Sequence, residues 1–184
     1  ISAENLIDEA KALARKKLAD RGMSDSEKEQ VAGQVALGAI KYTILRQAIG
    51  GDIIFDFEKS LSFEGDSGPY LQYTTVRART VLAKAKVAGL TPSTAVSPKT
   101  IGELERTLYR FPEVLDKVSR EYAPHLLVTF AIELSASFNA YYGNNLIIDE
   151  KNPESPYRLA LTSATALTLE KILHLLAIPV PERM

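Results

Sequence analysis

The chain has 184 residues, 46% of them hydrophobic, enough to bury a core for one domain or for one domain with a helical appendage. Its 22 basic and 23 acidic side chains leave a formal charge of −1, which excludes a global basic field, so any binding to RNA must come from a local patch. The absence of cysteine excludes a disulfide framework and a cysteine-ligated zinc site, and no apolar run is long enough to span a membrane. With no thiol to oxidise, the composition fits a cytoplasmic protein. The first residue is Ile1 and helical patterning is already under way there, so the chain reads as a piece of a longer protein.

Helical periodicity runs through most of the sequence. A first helix is expected over about 3–20, ending at Gly22 in a left-handed C-terminal position. Ser24 followed by Glu27 makes a capping box for a second helix that runs toward Ala48. Val31, Val35, Ile40, Ile44 and Leu45 are available for burial on it, and Gly50-Gly51 ends it. The alternation Ile53, Phe55, Phe57 would suit a short strand, but with no obvious partner an extended connector into a brief helix over 58–61 is the better expectation. Gly65, Ser67, Gly68 and Pro69 mark a tight turn that opens a helix running to about Val87. Residues 89–98, with two prolines, two serines and two threonines, form the clearest loop. Thr100 with Glu103 is expected to cap the next helix. Pro112 and Pro124 each start another, after turns near Phe111 and Ala123. The helix after Pro124 aligns Leu127, Leu134, Phe138 and Tyr141 and breaks at Gly143-Asn144-Asn145. Ser155-Pro156 opens a last helix in which Leu169, Ile172, Leu173 and Leu176 recur at helical spacing. The fold class is all-α, a helical bundle.

No catalytic constellation emerges. His125 and His174 lie on separate helices at no metal-binding spacing, and His125 reads as a packing or capping residue. Gly65 and Gly68 read as a structural turn rather than a phosphate loop. The acids Asp52, Asp56, Glu58, Glu64 and Asp66 are accounted for by helix caps and solvent. No residue is assigned as catalytic or as a metal ligand. One helix face stands apart. From Pro69 onward, Leu71, Thr75, Ala78, Leu82 and Ala85 share a side suited to the core, whereas Tyr70, Tyr73, Arg77 and Lys84 share another. Unpaired bases stack on tyrosine while Arg and Lys hold phosphates, so this pairing suits exposed nucleotides. Half-buried boundary tyrosines beside solvated cations would produce the same pattern. Of Tyr141 and Tyr142, one can enter the core and leave the other at the surface, and Arg158 reads as a member of an ordinary surface ion pair.

The runs Phe55-Asp56-Phe57 and Phe63-Glu64-Gly65-Asp66-Ser67-Gly68-Pro69-Tyr70-Leu71-Gln72-Tyr73, continuing to Arg77, resemble the segment that joins the catalytic and anticodon-binding domains of arginyl-tRNA synthetases. Pro124-His125, Phe138-Asn139-Ala140-Tyr141-Tyr142, Arg158-Leu159-Ala160-Leu161 and the closing Ile178-Pro179-Val180-Pro181-Glu182-Arg183-Met184 follow in that family's order. The resemblance implies the anticodon-binding bundle of class I aminoacyl-tRNA synthetases over residues 67–184. Residues 1–66 would be a helical segment adjoining the catalytic domain. It implies a ligase that activates arginine with ATP (and Mg) and transfers it to an arginine-accepting tRNA. Positions matching the family's RNA contacts are Tyr70, Arg77, Tyr142 and Met184, with Tyr73 and Asn139 as neighbours; the Met184 thioether would pack against a splayed base. The family's two ATP motifs and its N-terminal domain are missing here, which implies no cofactor and no aminoacylation by this chain alone. The implied partners are tRNA and the synthetase's own catalytic and N-terminal domains, not DNA or a membrane. Exposed apolar surface on residues 1–51 would favour a weak homodimer. The equivalent domain of a cysteinyl-tRNA synthetase is a related reading that the Met184 ending argues against, and a helical protein-interaction module is the alternative from another class.

Overall fold

A computed structural model describes residues 2–96 and 98–184, and among these every regular element is helical. The helices are α1 (Ala3–Lys17), α2 (Asp25–Leu45), α3 (Phe57–Ser60), α4 (Gly68–Val87), α5 (Glu103–Tyr109), α6 (Phe111–Glu121), α7 (Pro124–Asn144) and α8 (Ser155–Leu175). Residues between α2 and α3 are an extended connector.

The expected end of the first helix at Gly22 is corrected. Helix α1 stops at Lys17, and the glycines with positive φ are Gly50, Gly65 and Gly89. Leu18 is only 1% exposed, and its anchoring among α1, α2 and Leu61 turns the chain without a left-handed residue. Helix α2 opens with the expected box: the Ser24 amide donates to Glu27 Oε2 at 2.8 Å and the Glu27 amide to Ser24 Oγ at 3.3 Å. Val31 and Val35 are buried as expected, but Ile44 is exposed and the buried face takes in Ala32, Ala36, Ala39 and Tyr42. Small residues are needed there because α2 is packed by α1 and by α4. A Cβ on Gly68 would lie 2.2 Å from the Gly38 carbonyl oxygen, so the two backbones touch.

Helix α4 begins on Ser67, whose hydroxyl accepts from the Tyr70 amide (3.1 Å) and donates to the Ser62 carbonyl (2.5 Å). It packs against α2, α7 and α8, so its buried side is wider than expected and takes in Gln72, Thr74 and Val76. Thr100 does not cap α5. The N-cap is Gly102, with no side-chain hydrogen bond, because the helix starts three residues beyond Thr100. Gly143 and Asn144 do not break α7. Both remain helical, and the helix ends at Asn145, whose side chain donates back to the Tyr141 carbonyl at 2.9 Å. Ser155 is a buried first residue of α8, bridging the preceding loop by donating to Ile147 O and accepting from the Asp149 amide.

The main core joins α4, α7 and α8, with Tyr42 and the tail residue Ile178; a second cluster joins α1 and α2 with Leu61. The tail after α8 is strapped across the bundle. Lys41 donates to Ala177 O, fully buried Gln72 donates to both Gln34 O (2.9 Å) and Pro179 O (2.6 Å), and Arg79 reaches Pro181 O. Arg183 then reaches the α1–α2 turn, donating to Gly22 O at 2.8 Å and to Glu27 at 3.3 Å. Met184 packs against the α1–α2 cluster.

Candidate nucleic-acid interface

Positions 70, 74 and 77 fall on one side of α4, and positions 139 and 142 fall three apart on α7. The α4–α7 contact brings these two sides together. Arg77 lies between two rings, its Cζ 4.6 Å from the centroid of Tyr73 and 5.2 Å from that of Tyr142. Each such cation–π contact is worth about 0.5–1 kcal/mol at an exposed site. The Arg77 Nη1 donates to Asn139 Oδ1 at 2.5 Å and Nη2 to the Tyr73 hydroxyl at 3.1 Å. Asn139 Nδ2 in turn donates to the Tyr70 hydroxyl at 3.0 Å and to Thr74 Oγ1 at 2.9 Å. All of these partners are neutral. The guanidinium is therefore oriented by hydrogen bonds and aromatic faces while its charge stays uncancelled.

A groove of about 790 Å³ opens beside this network, lined among others by Tyr73, Arg77, Lys84, Tyr142, Leu146 and Met184. Among the described residues, no Asp or Glu side chain lines it. Tyr142 is 41% exposed, with Phe138 packed behind it at a centroid distance of 6.3 Å. Arg158 does more than form its ion pair with Glu154 (3.0 Å). It also donates to Leu146 O at 3.0 Å and so fixes the loop that edges the groove. The neighbouring Tyr141 faces a second cavity, of about 370 Å³, together with Glu103, Glu105 and Glu154. Burial pushes the Tyr141 hydroxyl up to about 12. Consecutive tyrosines thus face cavities of opposite charge, and the one with Tyr142 suits a polyanion.

The structure gathers Tyr73, Arg77, Tyr142 and Met184 at one groove. Tyr70 and Asn139 stand behind Arg77 and do not line it. Thr74 joins the network without having been singled out, although its position four after Tyr70 put it on the same face. Arg21, from the turn between α1 and α2, also lines the groove, and no sequence signal marks it.

The model of the DALR anticodon-binding domain family matches residues 71–184. The chain belongs to this family. Within the DALR match lie Tyr73, Arg77, Lys84, Asn139, Tyr142 and Met184; Tyr70 and Arg21 precede it. An arginine–tRNA ligase of Lactococcus lactis is 36% identical over the whole of this chain, which covers 33% of that protein. The arginyl-tRNA synthetase structure of Thermus thermophilus superposes with a TM-score of 0.83 at 33% identity, over 100% of this chain and 32% of that one. That of Plasmodium falciparum superposes with a TM-score of 0.83 at 25% identity, over 100% of this chain and 34% of that one. The chain therefore spans about a third of the length of the curated relatives it matches.

Proposed function

We propose that this chain is the anticodon-recognising part of an arginine–tRNA ligase and grips the anticodon stem and loop of an arginine-accepting tRNA in the Tyr73–Arg77–Tyr142 groove. The observation that carries the reading is Arg77, held between two aromatic faces with only neutral hydrogen-bond partners. A base stacked on Tyr142 would place its neighbouring phosphate near Arg77 and Lys84, while Met184 offers an apolar contact to a splayed base. Tyr70, Thr74 and Asn139 orient Arg77 and need not touch RNA. Activation of arginine with ATP and Mg would fall to the part of a ligase of the relatives' length that this chain does not span, and the whole would act in the cytoplasm. No helix among the described residues is long and apolar enough to cross a membrane.

The test compares binding of this chain to arginine tRNA with binding to a tRNA of different anticodon, each titrated with salt. Tighter binding to the arginine tRNA is expected, with affinity falling by about 0.7–0.9 log units per log unit of salt for each phosphate held. Equal or undetectable binding to both overturns the reading. Salt-insensitive capture of a protein by the same groove would replace it with a protein-docking role.

A further inference from the structure

We propose that Arg21, contributed by the α1–α2 turn outside the DALR match, is a phosphate-binding residue of the same groove. The inference rests on the RNA-binding reading above and adds an element to it. The chain has ten arginines. Eight of them, Arg15, Arg46, Arg79, Arg106, Arg110, Arg120, Arg158 and Arg183, form ion pairs with carboxylates. The remaining two, Arg21 and Arg77, both line the groove, together with Lys84.

Pairing was open to Arg21. Asp20 adjoins it and Asp25 lies four residues on, yet Asp25 is approached by Arg15 instead, at 3.9 Å. Among the described residues, the Arg21 side chain makes no hydrogen bond or ion pair. Its backbone is nevertheless fixed. The Arg21 amide donates to Leu18 O at 3.1 Å and the Met23 amide to Arg21 O at 2.6 Å, while Arg183 donates to the adjacent Gly22 carbonyl. The held backbone fixes where the Arg21 side chain starts, and its unengaged guanidinium leaves a positive charge free to meet a ligand at the groove. Three cations gathered with no Asp or Glu side chain among the described lining residues repel one another, and an anion relieves that repulsion. Three cations lining one groove offer more than one phosphate contact, which suits a nucleic-acid strand better than a single small anion.

The experiment measures affinity of the chain for the isolated arginine-tRNA anticodon stem-loop across a salt series, for the unmodified chain, R21A, R21K and R77A. R21A should bind several-fold more weakly at low salt, with the slope of log affinity against log salt reduced by about 0.7–0.9, the loss of one phosphate contact. R21K should keep the slope, since it keeps the charge. Because Arg21 is exposed and unpaired, the thermal unfolding midpoint of R21A should match the unmodified chain, which separates lost contact from lost fold. If R21A keeps both affinity and slope while R77A weakens binding, the role of Arg21 is overturned and the RNA-binding reading stands. If the unmodified chain does not bind the stem-loop, both fall.

Discussion

Asn139 decides whether the Arg77 charge is available, because its amide both accepts from the guanidinium and donates to Tyr70 and Thr74. Replacing it with aspartate keeps an acceptor for Arg77, and the two hydroxyls can turn to donate to the new carboxylate. N139D should therefore retain the fold yet neutralise the site, so that tRNA affinity drops and its salt slope flattens while the urea midpoint changes little. N139L removes all three hydrogen bonds and strands their partners, which should cost about 1–3 kcal/mol of stability in the same urea titration. Tyr142 is expected to act through its face. Y142A should weaken stem-loop binding by about 1–3 kcal/mol, the range for one stacked base, while Y142F should bind nearly as well as the unmodified chain. A Y142F defect as large as that of Y142A would assign the contribution to the hydroxyl instead.

Among the elements, α2 and α4 meet where Gly38 and Gly68 allow backbone contact, and an added methyl has nowhere to go. G68A should destabilise the bundle by about 1–3 kcal/mol through overpacking, read as a lower urea midpoint; an unchanged midpoint would mean the crossing can open. S24A, by contrast, removes one half of the α2 capping box and should cost about 1 kcal/mol. The capping box was legible because its partners lie three residues apart, and so was the α4 face that carries Tyr73 and Arg77. What could not be read was whatever depends on elements distant in sequence. Gln72 is wholly buried because Gln34 and Pro179 supply carbonyls from other segments, and α2 buries alanines because α1 and α4 close on it from separate directions. The failed expectations at Gly22 and Thr100 share a cause: tertiary anchoring at Leu18 and a later start of α5 displaced helix ends that local chemistry would have allowed. Resemblance singled out Asn139 and Met184, and only the folded chain shows that one supports the groove from behind and the other lines it.

For the molecule as a whole, stability should fall at high pH. The hydroxyls of Tyr42, Tyr141 and Tyr157 are all raised above the ordinary value of 10.0, principally by burial, Tyr141 to about 12. A raised folded-state value means that the native chain holds these protons more tightly than the unfolded one. The stabilisation is fully present below pH 10 and is lost as pH rises through about 12 for Tyr141. Urea midpoints measured across that window should decline steadily, and Y141F should flatten part of the decline. The Arg183–Gly22 hydrogen bond joins positions 161 residues apart, so the tail carrying Met184 and the turn carrying Arg21 are held together only in the folded chain. The Tyr73–Arg77–Tyr142 sandwich also has an optical consequence. The chain has no tryptophan and eight tyrosines, so its ultraviolet emission is tyrosine emission alone, and two of the emitters flank the groove. A nucleobase stacked there would quench them, and occupancy could be followed as a loss of intrinsic fluorescence without attaching any dye.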